Sequence, residues 1–202
     1  METATRILTK ADEMFRRYGI RAVTLDEIAN TLGISKKTIY QYFTDKDALV
    51  DAVMDGEFQQ TLKDCRHCSV AAKDAVEEII LLMESLEKDF RNLNPLVLFD
   101  LKKFHYNTFM KFDDFMHLHM LKMVRDNLTR GINEGVYRES LNIDILSRFR
   151  MASVQMLFDL QVFPPEKFDL ATVSTTILDH FLYGVVNTKG YKLIEKYKTR
   201  NK

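Results

Sequence analysis

The run from Thr24 to Phe43 leaves this chain little choice but two short helices joined by a tight turn. Thr24, with Glu27 three residues later, predicts a capping box and a first helix starting at Leu25. Ile28 and Leu32 share one face of it, and Ala29 is small enough for a second helix to cross closely. Gly33 follows the last apolar residue and can take the left-handed conformation that stops a helix sharply. Ile34 then turns inward, Ser35 can cap the second helix, and Ile39 and Phe43 complete its buried stripe. Outside that stripe lie Lys36, Lys37, Thr38, Tyr40, Gln41 and Tyr42, a polar, aromatic and cationic face. Two capped helices of this length, with such a face on the second, form the helix-turn-helix pattern that enters a DNA major groove.

Charge narrows how such a head could bind. The chain has 29 basic and 29 acidic residues, and its first 50 residues hold eight Lys or Arg against seven Asp or Glu. Affinity for DNA therefore has to come from locally placed cations and helix N-termini, not from a bulk positive field. A shape-matched reader fits this balance, and a non-specific coat protein does not.

With seven Gly and three Pro in 202 residues, 46% hydrophobic and 29% charged, the chain has few breaks and enough apolar material for a real core. That favours long helices. Residues 3–18 carry Ile7, Leu8, Ala11, Met14 and Phe15 at helical spacing and would complete a three-helix head. Thr44 or Asp45 caps a connecting helix over 45–64, with Ala48, Leu49, Ala52 and Val53 on its apolar side. Lys46 at its start would face a phosphate. A loop is expected near Cys65–Ala72. Further helices are expected over 73–90, from Pro95 to about Met110, from Asp113 to Gly135, over 143–161, and over 167–186 as the last long one. The expected division is a DNA-binding domain at 1–47 and a larger domain at 48–202.

Other chemistry finds no footing. Cys65 and Cys68, with His67 between, lack the second ligand pair that a structural zinc site needs, so no metal and no cofactor are expected. His117 and His119 lie two apart and point to different sides of a helix. There is no phosphate loop, nucleophile elbow or carboxylate dyad, which argues against an enzyme. No apolar run approaches the length of a membrane span and residues 1–9 have no apolar stretch of a signal peptide, so a cytoplasmic location away from membranes is expected.

Residues 5–53 resemble the DNA-binding domain of the TetR family of bacterial transcriptional regulators. The stretch Gly33-Ile34-Ser35-Lys36-Lys37-Thr38-Ile39-Tyr40-Gln41-Tyr42-Phe43-Thr44-Asp45-Lys46 carries the likeness. The resemblance implies an all-α fold: a three-helix DNA-binding head plus a larger helical domain for ligand binding and dimerisation. By position it makes Ser35, Lys36, Lys37, Thr38, Tyr40, Gln41 and Tyr42 the DNA-facing segment, with Thr24 and Lys46 at flanking phosphates. Lys37 and Gln41 depart from the residues frequent in the family. Lysine can reach guanine O6 and N7, and glutamine can bond adenine N6 and N7.

The resemblance further implies a homodimer on a palindromic double-stranded DNA operator, released by a small apolar or amphipathic effector. The pairing helices correspond to 143–161 and 167–186, with Leu157, Phe158, Leu170, Ile177, Leu178 and Phe181 at the contact. A Met- and Phe-rich wall of Phe99, Phe104, His105, Phe109, Phe112, Met116 and Met120, beside Phe115, His119 and Met123, is the expected effector pocket. The alternative is a ligand-independent architectural or cell-division factor using the same head.

Overall fold

A computed structural model describes residues 2–200, apart from the side chain of Arg200. Eleven α-helices make up its regular structure: α1 Thr3–Tyr18, α2 Leu25–Leu32, α3 Lys36–Tyr40, α4 Lys46–Ala71, α5 Ala75–Phe90, α6 Leu96–Phe104, α7 Tyr106–Phe115, α8 Leu121–Asn133, α9 Ile143–Met156, α10 Leu170–Val185 and α11 Thr188–Arg200. A π-helical turn, Met116–Met120, runs between α7 and α8. Among the described residues the one strand-like contact is a single antiparallel bridge between Tyr137 and Val186. The chain is all-α, as its sequence implied.

Packing draws the internal boundary elsewhere than 47/48. One compact unit comprises residues 2–60 together with Asn92–Asp113; the other comprises Thr61–Arg91 and residues 114–200.

The first unit closes around Ile7, Ala11, Phe15, Ile28, Ile39, Leu49, Val50 and Leu101, all buried. Leu101 lies on α6, so a segment far along the chain completes the core of the N-terminal helices. Polar ties hold it there. Asn94 N–H donates to the Arg16 carbonyl at 2.6 Å, and Asp100 Oδ2 accepts from the Arg21 N–H at 2.8 Å. His105 Nδ1 lies 2.7 Å from Asp47 Oδ1, and Lys111 Nζ lies 2.7 Å from Asp51 Oδ2.

The second unit is organised around α5. Asp74 caps it by accepting from the N–H groups of Val76 and Glu77, and the buried Ala75, Val76, Ile79 and Ile80 meet α8, α10 and α11. Leu128, Tyr137, Leu178, Phe181, Leu182, Ile194 and Tyr197 complete that core. Tyr137 lies against α8 where Gly131 has no side chain, and its hydroxyl lies 3.0 Å from both the Ala75 carbonyl and Asn127 Oδ1. Arg130 fastens α8 to its surroundings through Glu78 (2.9 Å), Glu134 (2.7 Å) and the carbonyls of Ser69 and Ala72.

Several expected boundaries move. The segment 65–71 is helix, not loop: neither Gly nor Pro interrupts it, and Cys65 and Cys68 are buried. The helix expected from Pro95 to Met110 breaks at His105, whose backbone leaves the helical region (φ −132°, ψ 55°) while its ring engages Asp47. Beyond that break the chain stays helical from Tyr106 to Asn133. The helices expected over 143–161 and 167–186 are shorter, and α11 follows the one expected to be last, with Ile194 and Tyr197 buried three residues apart.

Candidate nucleic-acid interface

The helix-turn-helix forms as its local signals dictate. Thr24 Oγ1 accepts from the Glu27 N–H at 3.2 Å, while the Glu27 carboxylate accepts from the Thr24 N–H at 2.7 Å. These reciprocal bonds hold Glu27 below the usual carboxylate range, with the bond from the Thr24 backbone the larger cause. Gly33 ends α2 at φ 65°, ψ 31°, and its N–H closes onto the carbonyls of Ala29 and Asn30. Ser35 then caps α3, its Oγ accepting from the Thr38 N–H at 3.1 Å. Caps of this kind stabilise a helix by about 1 kcal/mol each. Ala29 and Ile39 are buried, which fixes α3 against α2 and leaves one face of α3 outward.

On that face Lys37, Tyr40, Gln41 and Tyr42 are exposed, Tyr40 and Tyr42 by nearly half of their surface. Thr24 and Ser35 are exposed as well, although their hydroxyls serve the caps. Thr38 is half-buried, its Oγ1 lying 2.9 Å from Ser35 Oγ. α3 itself ends at Tyr40, so Gln41 and Tyr42 stand just beyond its last turn.

The three lysines differ in their freedom. Lys37 forms no ion pair among the described residues. Lys36 Nζ lies 2.7 Å from Asp26 Oδ2, which ties α3 to the first turn of α2 and raises the lysine pKa. Lys46, expected at a phosphate, is half-buried: its ammonium donates to the Ile20 carbonyl at 2.6 Å, and desolvation lowers its pKa. A phosphate contact by Lys46 would have to replace that bond. α4 is capped by Asp45, whose Oδ1 accepts from the Ala48 N–H at 2.8 Å.

The residues expected to line one effector pocket divide between the two units. Phe99, Phe104, His105, Phe109 and Phe112 belong to the first, Met116 and Met120 to the second. Phe99 and Phe104 are exposed and carry cations over their rings: Lys103 over both, and Arg21 over Phe104 at 4.9 Å. His105 is buried and bound to Asp47. Phe109 packs against the core of the first unit and stacks with Phe112, their centroids 6.3 Å apart. An aromatic stripe at helical spacing reads alike whether it lines a cavity or a helix-helix contact; here these five side chains do the latter or lie at the surface.

The expected dimer contact also needs redrawing. Leu178 and Phe181 lie in the core of the single chain, and Leu157 and Leu170 are buried within the second unit. Ile177 is half-buried, and Phe158 packs edge-on against Phe90 at 6.0 Å. The outward face of α9 instead carries Ile145, Phe149, Ala152 and Met156, with Ile145 and Phe149 more than half exposed. Their spacing of four, three and four residues makes one continuous stripe. The outward face of α10 carries Thr172, Thr176, His180 and Gly184.

Cys65 and Cys68 are free and buried; burial pushes the Cys65 thiol up to about 12 and raises that of Cys68. Among the described residues no three His, Cys, Asp or Glu side chains gather as a metal site would require, and no helix is long and apolar enough to cross a membrane.

Comparison with known proteins places this geometry. Residues 7–53 match the family described as bacterial regulatory proteins, tetR family. The uncharacterized HTH-type transcriptional regulator YvaF of Bacillus subtilis is 25% identical over 89% of this chain and 94% of its own. The HTH-type transcriptional repressor KstR2 of Mycobacterium tuberculosis is 26% identical over 71% of this chain and 73% of its own. Among solved structures, the transcriptional regulator FadR from Bacillus subtilis in complex with stearoyl-CoA superposes with a TM-score of 0.65 at 20% identity, covering 88% of this chain and 96% of that one.

Proposed function

We propose that this chain, a member of the tetR family of bacterial regulatory proteins, is a cytoplasmic, homodimeric repressor that reads a palindromic operator with α3 and is released by a small-molecule effector held in its second unit. The observation that carries this reading is the outward face of α3, where Lys37, Tyr40, Gln41 and Tyr42 stand exposed on and just beyond a helix capped by Ser35 and fixed by a buried Ile39. Hydroxyls and backbone N–H groups at helix N-termini set register on phosphates, while Lys37 and Gln41 have the donors to discriminate base edges. Each correct base contact is worth about 1–3 kcal/mol.

Dimerisation is assigned to the exposed stripe Ile145–Phe149–Ala152–Met156 of α9 beside the small and polar face of α10. A contiguous apolar stripe on one helix face is a surface that association removes from water. Reading a palindrome requires two copies related by a twofold axis, with their α3 helices about one DNA turn apart.

Release by an effector is supported by the ligands of relatives: a structural neighbour was solved with stearoyl-CoA, and KstR2 is named a repressor. An effector weakens operator binding only by its differential affinity for the DNA-competent form and the alternative. A difference of about 2.8 kcal/mol gives roughly a hundredfold release.

Selection of genomic fragments by the purified protein at physiological salt tests the reading. Enrichment of a shared palindrome is expected, with Lys37→Ala losing affinity for one base at one position. Capture without any common motif would mean that α3 does not read bases and would favour the ligand-independent architectural factor.

A further inference from the structure

The second unit holds a largely buried cation that has no carboxylate partner among the described residues. Arg150 lies on the inward side of α9 with Ser147, Met151 and Ser153 and is 5% exposed. A guanidinium has five N–H donors in a rigid fork. Among the described residues it makes one bond: Nη1 donates to Ser153 Oγ at 3.1 Å, and that hydroxyl donates back to the Arg150 carbonyl at 2.7 Å. No carboxylate pairs with Arg150 among the described residues. Arg130, in the same unit, shows what a structural arginine looks like here, with Glu78, Glu134 and two carbonyls around it. Burial lowers the Arg150 pKa to about 10, so it remains a cation at neutral pH.

Independent features of the same unit point to a ligand. Ser174 on α10 is 1% exposed, and its Oγ has no hydrogen-bond partner among the described residues. Buried polar groups without partners are rare, and each needs an explanation. Met116, Met151, Leu157, Leu170 and Val173 are buried yet belong to neither contiguous core, so apolar surface is withdrawn from water without joining the main packing. Met116 opens the π-helical turn, an irregularity frequent at functional sites.

We infer that the effector is an amphipathic anion, its carboxylate or phosphate held by the unused donors of Arg150 with a hydroxyl from Ser174, and its apolar body lying among Met116, Met151, Leu157, Leu170 and Val173. This rests on the sensor reading above and narrows it to a chemical class. An anion supplies the missing counter-charge and accepts from the planar fork, which suits carboxylate and phosphate alike. An uncharged or cationic amphiphile would leave Arg150 without a counter-charge.

The test uses the full chain and four probes of one tail length: decanoate, decyl phosphate, decanol and decylamine, below their aggregation concentrations. Binding is read by calorimetry and by the shift of the thermal midpoint. One or both anions are expected to bind about tenfold or more tighter than decanol, the scale of a charge-assisted hydrogen bond. Which anion binds better identifies the head as carboxylate or phosphate. Arg150→Met is expected to abolish that preference and Arg150→Lys to retain part of it. Should Arg150→Met not fold, the wild-type comparison and Arg150→Lys decide. Equal binding of decanol, an anion preference that survives Arg150→Met, or no binding of either anion would overturn the inference. Fragment selection run in parallel separates the two failures. A protein that reads a palindrome and ignores anions loses only this inference, whereas one without sequence preference loses the reading beneath it.

Discussion

Lys36 Nζ lies 2.7 Å from Asp26 Oδ2, so the first cation of α3 is bound to the first turn of α2 before any phosphate arrives. The aspartate competes with DNA for that ammonium, and both side chains are solvent-accessible. Removing its charge by Asp26→Asn should strengthen binding to every sequence alike. The slope of log affinity against log salt should steepen by about one as one more counterion is released. Fluorescence anisotropy at a series of salt concentrations checks this. An unchanged slope would mean that Lys36 does not reach DNA.

Phe149 is more than half exposed on the α9 stripe, so Phe149→Glu should leave the fold of the single chain intact. Two glutamates facing each other across a twofold axis would instead disfavour the assembly. Sedimentation should show a monomer with an unchanged circular dichroism spectrum and strongly weakened operator binding. A variant that stays dimeric would move the interface off this stripe. By contrast, Phe181→Glu would put a charge into the core of the second unit and unfold it, so loss of dimer there would report nothing about an interface.

Gly131 and Tyr137 are in closer contact than any other residue could allow. A Cβ at position 131 would fall 2.1 Å from Tyr137 Cδ2, inside the ring of a fully buried side chain whose hydroxyl is held at Ala75 and Asn127. The ring cannot swing aside without breaking those bonds. Gly131→Ala should therefore destabilise the chain by about 3 kcal/mol, the upper range of overpacking, despite the better helix propensity of alanine. Gly56→Ala is the control: nothing lies near its Cβ, so it should stabilise α4 by roughly 0.5–1 kcal/mol. Denaturant titrations of both variants give the comparison.

What the sequence revealed and what it hid divide by the range of the interaction. The capping box of Thr24 and Glu27, the left-handed Gly33 and the Ser35 cap are contacts over a few residues, and all three formed as read. The break at His105 accompanies a contact with Asp47, 58 residues earlier, and no local pattern carries that information. Leu178 and Phe181, which lie in the core of the single chain, show a different limit. An apolar stripe says that a face is buried, not whether its own chain or a second copy covers it. The stripe on α11 was visible in Ile194 and Tyr197, but short, lysine-rich flanks obscured it. Nothing in the sequence distinguishes Arg150, because arginine on a helix is almost always solvated. In the fold it is enclosed, with no carboxylate partner among the described residues.

Asp12, on α1, gives the first unit a dependence on pH. Burial raises its pKa from 3.8 to about 6, and the Glu57 carboxylate adds to the rise against a smaller opposing effect of Arg16. Because the folded pKa lies above the unfolded value, the folded chain holds the extra proton between the two. The contribution of Asp12 to stability then falls as pH rises from about 4 to about 6, the opposite of an ion-paired aspartate. Asp12→Asn removes the charge without changing the shape. At pH ~7 it should stabilise the protein by about 1 kcal/mol, the shift being discounted for the partial exposure of Asp12. Well below about pH 4 the Asp12 carboxyl is neutral in the folded and the unfolded state alike, and the pH-dependent difference between the two proteins should vanish. Thermal midpoints of both across this range decide the matter. A difference that stayed constant with pH would show that Asp12 titrates normally and that the effect of Asn comes from packing.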